Sequence, residues 1–265
     1  MIEAKIKKTG LKEANILGVN AAISDMNQVL KTIEQIIEKK PYNRPYFIIT
    51  AYSETFLETL ESADFRRAVE AADLVVGDGV SVWAAADLVS RPRSGWLKDF
   101  MRGLAIGGKV ISGRYSRRPQ GVQMFRGLLA DKQYKKFLFG GFNGVAGRLA
   151  AKYGCGWSEE DDQVVDKINE YGPDILFVAL GRFKQEIWIA NNLGRLKVKL
   201  VMGVGSAFDE VAGEGVWRRP VPGWVSKAGL KWLWRVMGEP KHLVRAWRAF
   251  PVFPLKVFGW YESRG

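Results

Sequence analysis

The stretch Ile175-Leu-Phe-Val-Ala-Leu-Gly-Arg-Phe-Lys-Gln-Glu-Ile-Trp188 decides the fold of this chain. Residues 175–180 form an apolar run typical of a buried strand, and a helical pattern follows, so Gly181 marks a strand-to-helix turn. In an open α/β sheet, turns at the carboxyl ends of strands face the ligand crevice. Gln185 and Glu186 fall in the first helical turn, where an amide and a carboxylate suit hydrogen bonding to a sugar or nucleobase better than packing.

Other apolar runs along the chain resemble this strand, and segments with helical spacing lie between them: residues 46–51, 73–77, 136–140 and 199–203. Strands that alternate with helices indicate a parallel sheet with helices on both faces. Residues 14–19 can add a strand at the edge of this sheet. We therefore predict an α/β fold with a Rossmann-like parallel sheet over residues 1–215, followed by a basic, Trp-rich C-terminal helical appendage over residues 216–265.

Two basic regions depart from this alternation. Residues 90–120 contain eight Lys and Arg but only one acid, Asp99, and we interpret them as an inserted, mobile segment with a short amphipathic helix around Trp96–Leu104. The tail after Val216 combines ten Lys and Arg with six Trp. Cations mixed with Trp on helices suit an anionic membrane surface. The alternative is a pair of C-terminal helices packed on the core with a solvated basic face.

Composition narrows the choice of partners and compartment. A net charge of +12 and ten Trp indicate an anionic partner, which is a phosphate-bearing substrate, a nucleic acid or an anionic membrane. The single cysteine, Cys155, excludes an internal disulfide and fits a reducing cytoplasm. We expect no signal peptide, and no run reaches the roughly 18 apolar residues of a membrane span. Any membrane contact is therefore expected to be peripheral, on the inner face of the cell membrane.

Asp78 is the first candidate for catalysis. It follows the apolar run 73–77 and precedes a predicted helix over Val80–Leu88. A carboxylate there can reach into the crevice and serve as a general base toward an acceptor hydroxyl. It can equally be a helix N-cap, for which Asp is a preferred residue. Thr50, which ends the first clear strand, can line the same crevice.

A second glycine turn, Gly203-Val-Gly205-Ser-Ala-Phe-Asp209, can hold a phosphate through its backbone amides. It is not a dinucleotide fingerprint, because Phe208 stands where the third glycine belongs and the motif lies late in the chain. An NAD(P)-dependent enzyme needs a glycine fingerprint near the first strand. The segment at the end of the first clear strand, Thr50-Ala-Tyr-Ser53, contains no glycine. The chain has no Asp-x-Asp pair, one histidine and one cysteine. We therefore expect neither a bound metal nor a cofactor.

In their order and spacing, these motifs resemble the WecG/TagA/CpsF glycosyltransferases. The resemblance runs from Ile16 to Arg245, apart from residues 90–120, and it includes the two glycine turns, Arg118-Pro-Gln-Gly121, and the tail segments Arg218-Arg219-Pro220 and Gly229-Leu-Lys-Trp-Leu-Trp-Arg235. Five positions depart from the family pattern. Tyr52 replaces an asparagine, Gln123 an acid and Phe183 a proline, and in the tail Lys231 replaces a glutamate and His242 an arginine.

The resemblance implies inverting, metal-independent transfer of an N-acetylmannosamine-type sugar from a UDP-sugar to a polyprenyl-diphosphate-linked sugar, in cell-surface polysaccharide or teichoic-acid-type synthesis. It makes Asp78 the catalytic base. The substrate-binding residues that it implies are Thr50, Tyr52, Arg118, Gly181, Gln185, Glu186, Gly203, Gly205, Asp209, Arg219, Arg235 and Arg245.

A basic α/β protein that binds nucleic acid without catalysis is the alternative function. It predicts strongly salt-dependent binding to oligonucleotides. The sequence contains no recognised nucleic-acid reader motif, and the aromatic tail suits lipid better, so we expect no nucleic-acid partner. The sequence leaves open whether the chain forms a homo-oligomer.

Overall fold

The computed structural model describes residues 10–38, 43–116, 118–213, 221–223, 225, 234 and 243–264, without the side chains of residues 245 and 246. An eight-stranded sheet forms the centre of this part of the chain, with the strand order β1-β2-β4-β3-β8-β7-β5-β6. Every pairing is parallel except β1 with β2. The strands are β1 (Glu13–Ile16), β2 (Val19–Ala22), β3 (Tyr46–Ala51), β4 (Leu74–Gly77), β5 (Lys136–Gly140), β6 (Gly156–Ser158), β7 (Ile175–Ala179) and β8 (Leu200–Gly203).

Helices connect these strands and cover both faces of the sheet, which confirms the predicted Rossmann-like α/β fold. The helices of the described residues are α1 (Met26–Glu38), α2 (Ser53–Glu61), α3 (Ala63–Ala71), α4 (Val80–Val89), α5 (Trp96–Ile111), α6 (Gly121–Ala130), α7 (Val145–Tyr153), α8 (Val164–Tyr171), α9 (Lys184–Asn192), α10 (Ala207–Ala212), α11 (Leu243–Trp247) and α12 (Phe253–Glu262), with a π-helical turn at Arg248–Val252.

Alternation along the strands divides the apolar side chains between two cores. On β3, Phe47 and Ile49 belong to the core under α2, α3, α9 and α12. Their neighbour Ile48 points to the opposite core, under α1, α6, α7 and α10. Because both faces of the sheet are buried, the parallel strands have nearly continuous apolar sequences, which is why sequence alone locates them.

The chain changes direction across the sheet at the β3–β8 pair. From β3 it moves outward to β4, whereas β5, β6, β7 and β8 occupy the other side. In open α/β sheets, a crevice forms at such a switch point, outside the carboxyl ends of the strands. Thr50 on β3, Asp78 after β4 and Gly181 after β7 all lie at this edge.

Three elements differ from the sequence prediction. The expected single edge strand over residues 14–19 is a β1–β2 hairpin, because Leu17 and Gly18 both adopt positive φ in a two-residue turn between Ile16 and Val19. The short edge strand β6 was not predicted, since three residues carry no readable alternation. Helix α5 spans 16 residues and extends well beyond the predicted Trp96–Leu104.

The end of the tail packs on the sheet domain. Phe253, Val257 and Tyr261 of α12 are at most 3% exposed and join the core that contains α2 and α4. The rings of Phe56 and Phe253 are 5.9 Å apart. The packing of α12 agrees with one part of the alternative for the C-terminal helices, and most of residues 214–242 lie outside the described residues. Within the described part of the chain, no helix is both long enough and apolar enough to span a bilayer.

Candidate active site

A cleft of about 390 Å³ opens at the carboxyl ends of the central strands. The turns after β3, β4, β5, β7 and β8 form its walls, and Ala249 and Phe250 of the π-helical turn close one side. The cleft brings together nine of the residues predicted from sequence: Thr50, Tyr52, Asp78, Arg118, Gly181, Gln185, Glu186, Gly205 and Asp209.

Asp78 lies half-buried at the end of β4, where the chain turns into α4. The structure does not show it as the cap of α4, since Gly79 occupies the N-cap position. Its Oδ2 instead accepts a hydrogen bond from the Gly121 backbone N–H at the start of α6, at 2.9 Å. A carboxylate has acceptor sites on both oxygens. This bond therefore fixes the group without exhausting its capacity to accept a proton.

Arg118 brings a buried positive charge to the same cleft. It is 7% exposed, and its Nη1 donates to the Tyr115 carbonyl oxygen at 2.9 Å. Burial lowers the pKa of the guanidinium, and the negative charge of Asp78 opposes that change. Its Nε has no hydrogen-bond partner within the described residues. A buried N–H donor of this kind is suited to an anionic ligand such as a phosphate.

Thr50 and Gly121 hold the Asp78 loop and α6 close together. A Cβ on Gly121 would lie 3.0 Å from Thr50 Oγ1 and 3.1 Å from Thr50 Cβ, so only glycine allows this approach without displacement. Tyr52 occupies the N-cap of α2, and its backbone N–H donates to Thr55 Oγ1 at 3.2 Å. Position 52, where the family has an asparagine, is therefore the N-cap of α2 and lies in the lining of the cleft.

The two glycine turns form a single hydrogen-bonded unit. Gln185 Oε1 accepts from the Gly205 N–H at 3.0 Å, and Gln185 Nε2 donates to Glu186 Oε1 at 2.8 Å. A Cβ on Gly203 would lie 2.8 Å from Gln185 Nε2. The sequence indicated that the Gln185 and Glu186 side chains suit hydrogen bonding to a ligand better than packing; both line the cleft, and they are 6% and 7% exposed. Their first role is to join the turns after β7 and β8.

Glu186 is a buried carboxyl in the wall of the cleft. Burial raises its pKa from 4.5 to about 7, while the hydrogen bond from Gln185 lowers it. Its Oε2 is buried and has no hydrogen-bond partner within the described residues. Because Oε1 accepts from Gln185, Oε2 is the oxygen that holds the proton when the carboxyl is neutral.

The sequence analysis did not predict an ion pair across the cleft. Arg182 Nη1 donates to Glu54 Oε1 at 2.6 Å, and Glu54 is 5% exposed at its side chain. These residues come from the turn after β7 and the first turn of α2. Glu54 follows β3 and Arg182 follows β7, two strands that the sequence identifies. A search for charged residues just after these strands would have found both.

The backbone conformation of Phe183 is incompatible with the proline that is common at this position in the family. Phe183 adopts φ +67° at the N-cap of α9, a value that the proline ring does not permit. Its ring packs on Phe65 of α3, with 4.8 Å between the centroids. Packing against α3 therefore stabilises a left-handed backbone at this position.

The remaining predicted residues have different placements. Asp209 lies in the first turn of α10 and lines the cleft. Gly203 ends β8 beneath Gln185. Arg219, Arg235 and the side chain of Arg245 lie outside the described residues. In the described part of the chain, no cluster of three or more His, Cys, Asp or Glu side chains could hold a metal ion.

This geometry coincides with a family match over nearly the whole chain. The sequence profile described as the glycosyl transferase WecG/TagA/CpsF family matches residues 14–97 and 102–264. The chain belongs to this family. The match includes residues 102–120, so the family covers most of the segment interpreted as an insertion. The unmatched residues 98–101 lie within α5.

Curated WecG/TagA/CpsF relatives carry a specific enzymatic name. Two proteins from strains of Staphylococcus aureus are 24% identical over 268 residues, which covers 95% of this chain and 94% of theirs. A protein from Bacillus spizizenii is 24% identical over 233 residues, covering 81% of this chain and 78% of its own length. All three are named N-acetylglucosaminyldiphosphoundecaprenol N-acetyl-beta-D-mannosaminyltransferase.

Proposed function

We propose that this protein is an inverting, metal-independent glycosyltransferase. It moves an N-acetylmannosamine-type sugar from a UDP-sugar to a polyprenyl-diphosphate-linked N-acetylglucosamine, for a cell-surface polysaccharide or teichoic-acid-type polymer. The family membership supports the reaction class. The names of the relatives support the transferred sugar and the lipid-linked acceptor.

The position of Asp78 is the observation that carries the proposal. Its carboxylate is half-buried in the cleft, and the Gly121 N–H holds one of its oxygens. In the proposed reaction, the acceptor hydroxyl attacks the anomeric carbon, its proton passes to Asp78, and the bond to the UDP oxygen breaks. Attack from the face opposite the leaving group inverts the anomeric configuration.

Stabilisation of the UDP leaving group is the second requirement. Without a metal, its developing charge needs fixed cations and backbone dipoles. Arg118 supplies a buried cation near Asp78. The turn after β8 places Gly205 and Ser206 at the cleft, at the start of α10, and we assign this turn to the diphosphate. The Gly205 N–H itself bonds Gln185, which fixes the position of the turn. We assign the tail residues Arg219, Arg235 and Arg245 to the same task.

Gln185 and Glu186 contribute to substrate binding through the shape of the cleft. Gln185 fixes the Gly205 turn, so a change in Gln185 moves the backbone that we assign to the diphosphate. Glu186 presents a buried oxygen beside it. Thr50 and Tyr52 line the opposite wall, where we place the donor sugar.

The acceptor places the enzyme at a membrane surface. A polyprenyl chain stays in the bilayer, so transfer takes place where the headgroup meets water. The tail after Val216 combines ten cations with six Trp, a composition suited to an anionic leaflet. We therefore propose a cytoplasmic protein that binds peripherally to the inner face of the cell membrane.

UDP release from a panel of UDP-sugars tests this function. The acceptor is a short-chain polyprenyl-diphosphate N-acetylglucosamine, and each reaction is run with and without EDTA. We expect release that requires the acceptor, is fastest with UDP-N-acetylmannosamine and does not change with EDTA. No turnover and no UDP binding for any donor would contradict the assignment, and loss of turnover in EDTA would contradict metal independence.

A further inference from the structure

Helix α5 presents its apolar side chains to solvent and its acidic side chain to the protein. Leu97, Met101 and Ile111 are 66%, 58% and 81% exposed. Only Asp99 and Ile106 are buried in its 16 residues. An ordinary surface helix has the opposite arrangement, with its apolar stripe on the core. The exposed stripe consists of Trp96, Leu97, Phe100, Met101, Leu104 and Ile111.

Polar contacts hold α5 in this orientation. Asp99 accepts from the Ser94 N–H at 3.0 Å and from Arg102 Nη1 at 2.7 Å. On the other side, Asp87 of α4 accepts from Lys109 Nζ at 2.6 Å and from the Tyr115 hydroxyl at 2.8 Å. The two Asp99 contacts are local to α5 and its start, whereas the Asp87 contacts join α5 and the segment after it to α4. Rotation of α5 to bury the apolar stripe would therefore break the contact between Lys109 and Asp87.

Cations surround the exposed stripe. Six Lys and Arg lie on α5 or next to its ends, and the carboxylates that pair with them are Asp87, Asp99 and Glu262. The cations are Arg91, Arg93, Lys98, Arg102, Lys109 and Arg114. Trp96 stacks on Phe100 with 5.5 Å between the ring centroids. Exposed aromatic rings within a cationic rim are typical of helices that lie in a membrane interface.

The stripe continues onto the last helix of the chain. Phe100 meets Phe258 of α12 edge to face, with 6.4 Å between the ring centroids. Arg93 bonds Glu262 at 2.8 Å. On α12, Leu255 is 68% exposed. Two helices, one of them within the basic tail, therefore contribute to one apolar surface.

We propose that this surface, α5 with the exposed rim of α12, docks on an anionic lipid leaflet. A second copy of the chain fits less well, because a two-fold interface would place each cationic rim against its own copy. Lipid phosphates neutralise the same rim, and acyl chains accept the stripe. The proposal deepens the proposed function and rests on it for the choice of a membrane.

Hydrogen bonds connect the segment after α5 to the active-site cleft. Tyr115, whose hydroxyl bonds Asp87, accepts a hydrogen bond from Arg118 through its carbonyl oxygen. Arg118 is in turn near Asp78. The segment that follows α5 is therefore joined to the cleft, where a lipid-linked acceptor has to enter in the proposed function.

Co-sedimentation with vesicles tests this surface without any substrate. The full chain is mixed with phosphatidylglycerol vesicles or phosphatidylcholine vesicles, and the same is done for Leu97→Glu/Met101→Glu. We expect wild type to prefer phosphatidylglycerol, and the double variant to bind at least about tenfold more weakly with an unchanged Tm. Equal binding of the two proteins to phosphatidylglycerol would overturn the proposal.

A matched pair of tryptophan variants provides the control. Trp96→Ser removes an indole that is 59% exposed on α5, and Trp157→Ser removes one that is 48% exposed on the edge strand β6. We expect weaker vesicle binding only for Trp96→Ser. If Trp96→Ser instead converts a dimer to a monomer in sedimentation velocity and leaves vesicle binding intact, the surface joins two copies and the proposal is wrong.

Turnover separates this inference from the proposed function. Leu97→Glu/Met101→Glu is expected to lose activity on an acceptor embedded in vesicles and to keep it on a water-soluble short-chain acceptor. If wild type turns over neither acceptor, the proposed function fails while the vesicle measurement still decides the docking surface. If both acceptors are used equally well by the variant, the docking surface is contradicted and the proposed function stands.

Discussion

Gly203 has no room for a side chain. A Cβ there would lie 2.8 Å from Gln185 Nε2 and 3.2 Å from Glu186 Oε1. We predict that Gly203→Ala displaces the Gln185 amide, costs about 1–3 kcal/mol of stability, and weakens UDP binding because the Gly205 turn loses its hydrogen bond. Thermal unfolding and UDP titration measure the two effects.

Gly127 provides the control for this substitution. It lies within α6, and a Cβ there meets no atom within 4 Å. We expect Gly127→Ala to be neutral or to stabilise by about 0.5–1 kcal/mol, because alanine favours helix. A Gly203→Ala protein as stable as wild type with equal UDP affinity would show that the turn tolerates movement of Gln185.

Glu186 gives the protein a predictable pH dependence. Its folded pKa is about 7, above the ordinary 4.5, because burial disfavours the charged form. Its contribution to stability is therefore full below pH about 4.5 and is lost as pH rises through about 7. We predict that Glu186→Gln gains stability relative to wild type between pH 5 and pH 8, by up to about 3 kcal/mol.

Unfolding curves across this pH range test the prediction. Glu34→Gln on α1 serves as the control, because it makes the same substitution at an exposed carboxyl. A constant difference between Glu186→Gln and wild type at every pH would contradict a neutral buried carboxyl.

Sequence predicts the positions of the site residues better than their contacts. Asp78 and Gly181 were placed correctly at the crevice, because each directly follows an apolar strand. The Gln185–Gly205 hydrogen bond and the Arg182–Glu54 ion pair could not be predicted. They join residues 20 and 128 positions apart in the chain, and the distance between such residues depends on strand order.

At the scale of elements, the attachment of α5 to α4 depends on Asp87. Partial burial raises the pKa of Asp87. The hydrogen bonds from Lys109, Arg91 and Tyr115 outweigh burial and lower this pKa from 3.8 to about 2. We predict that Asp87→Asn loosens α5, with faster hydrogen exchange in residues 96–111 and little change in β3 or β7. Hydrogen exchange detected by mass spectrometry measures this.

An exposed ion pair provides the comparison for Asp87. Asp64 and Arg67 are paired on the surface of α3, with side chains that are 68% and 75% exposed. Such pairs contribute little to stability, so Asp64→Asn should leave exchange unchanged. Unaltered exchange in α5 of Asp87→Asn would show that apolar contacts alone hold the helix.

Elements with strong patterns were predicted more accurately than short or unusual ones. Strands β3 and β5 match their expected bounds, residues 46–51 and 136–140, because both have clear apolar patterns. The β1–β2 hairpin was missed since its turn contains Leu17, a residue that rarely adopts positive φ. The orientation of α5 also could not be predicted, because sequence periodicity does not tell which face of a helix meets the core.

At the scale of the molecule, the basic charge is distributed between the cleft, the surface of α5 and the C-terminal tail. The net charge of +12 indicated an anionic partner without naming it. The structure shows a buried Arg118 in the cleft and a cationic rim along α5. In the proposed function, the basic residues of the cleft bind the diphosphate and those along α5 bind the anionic leaflet.

Turnover of Asp78→Asn tests the central claim most directly. The asparagine keeps an oxygen that can accept from the Gly121 N–H, but its amide cannot take a proton from the acceptor hydroxyl. In acceptor-dependent UDP release, we predict a kcat at least about 100-fold lower than wild type, with unchanged Tm and UDP affinity. A variant that turns over at the wild-type rate would contradict Asp78 as the base and, with it, the proposed mechanism.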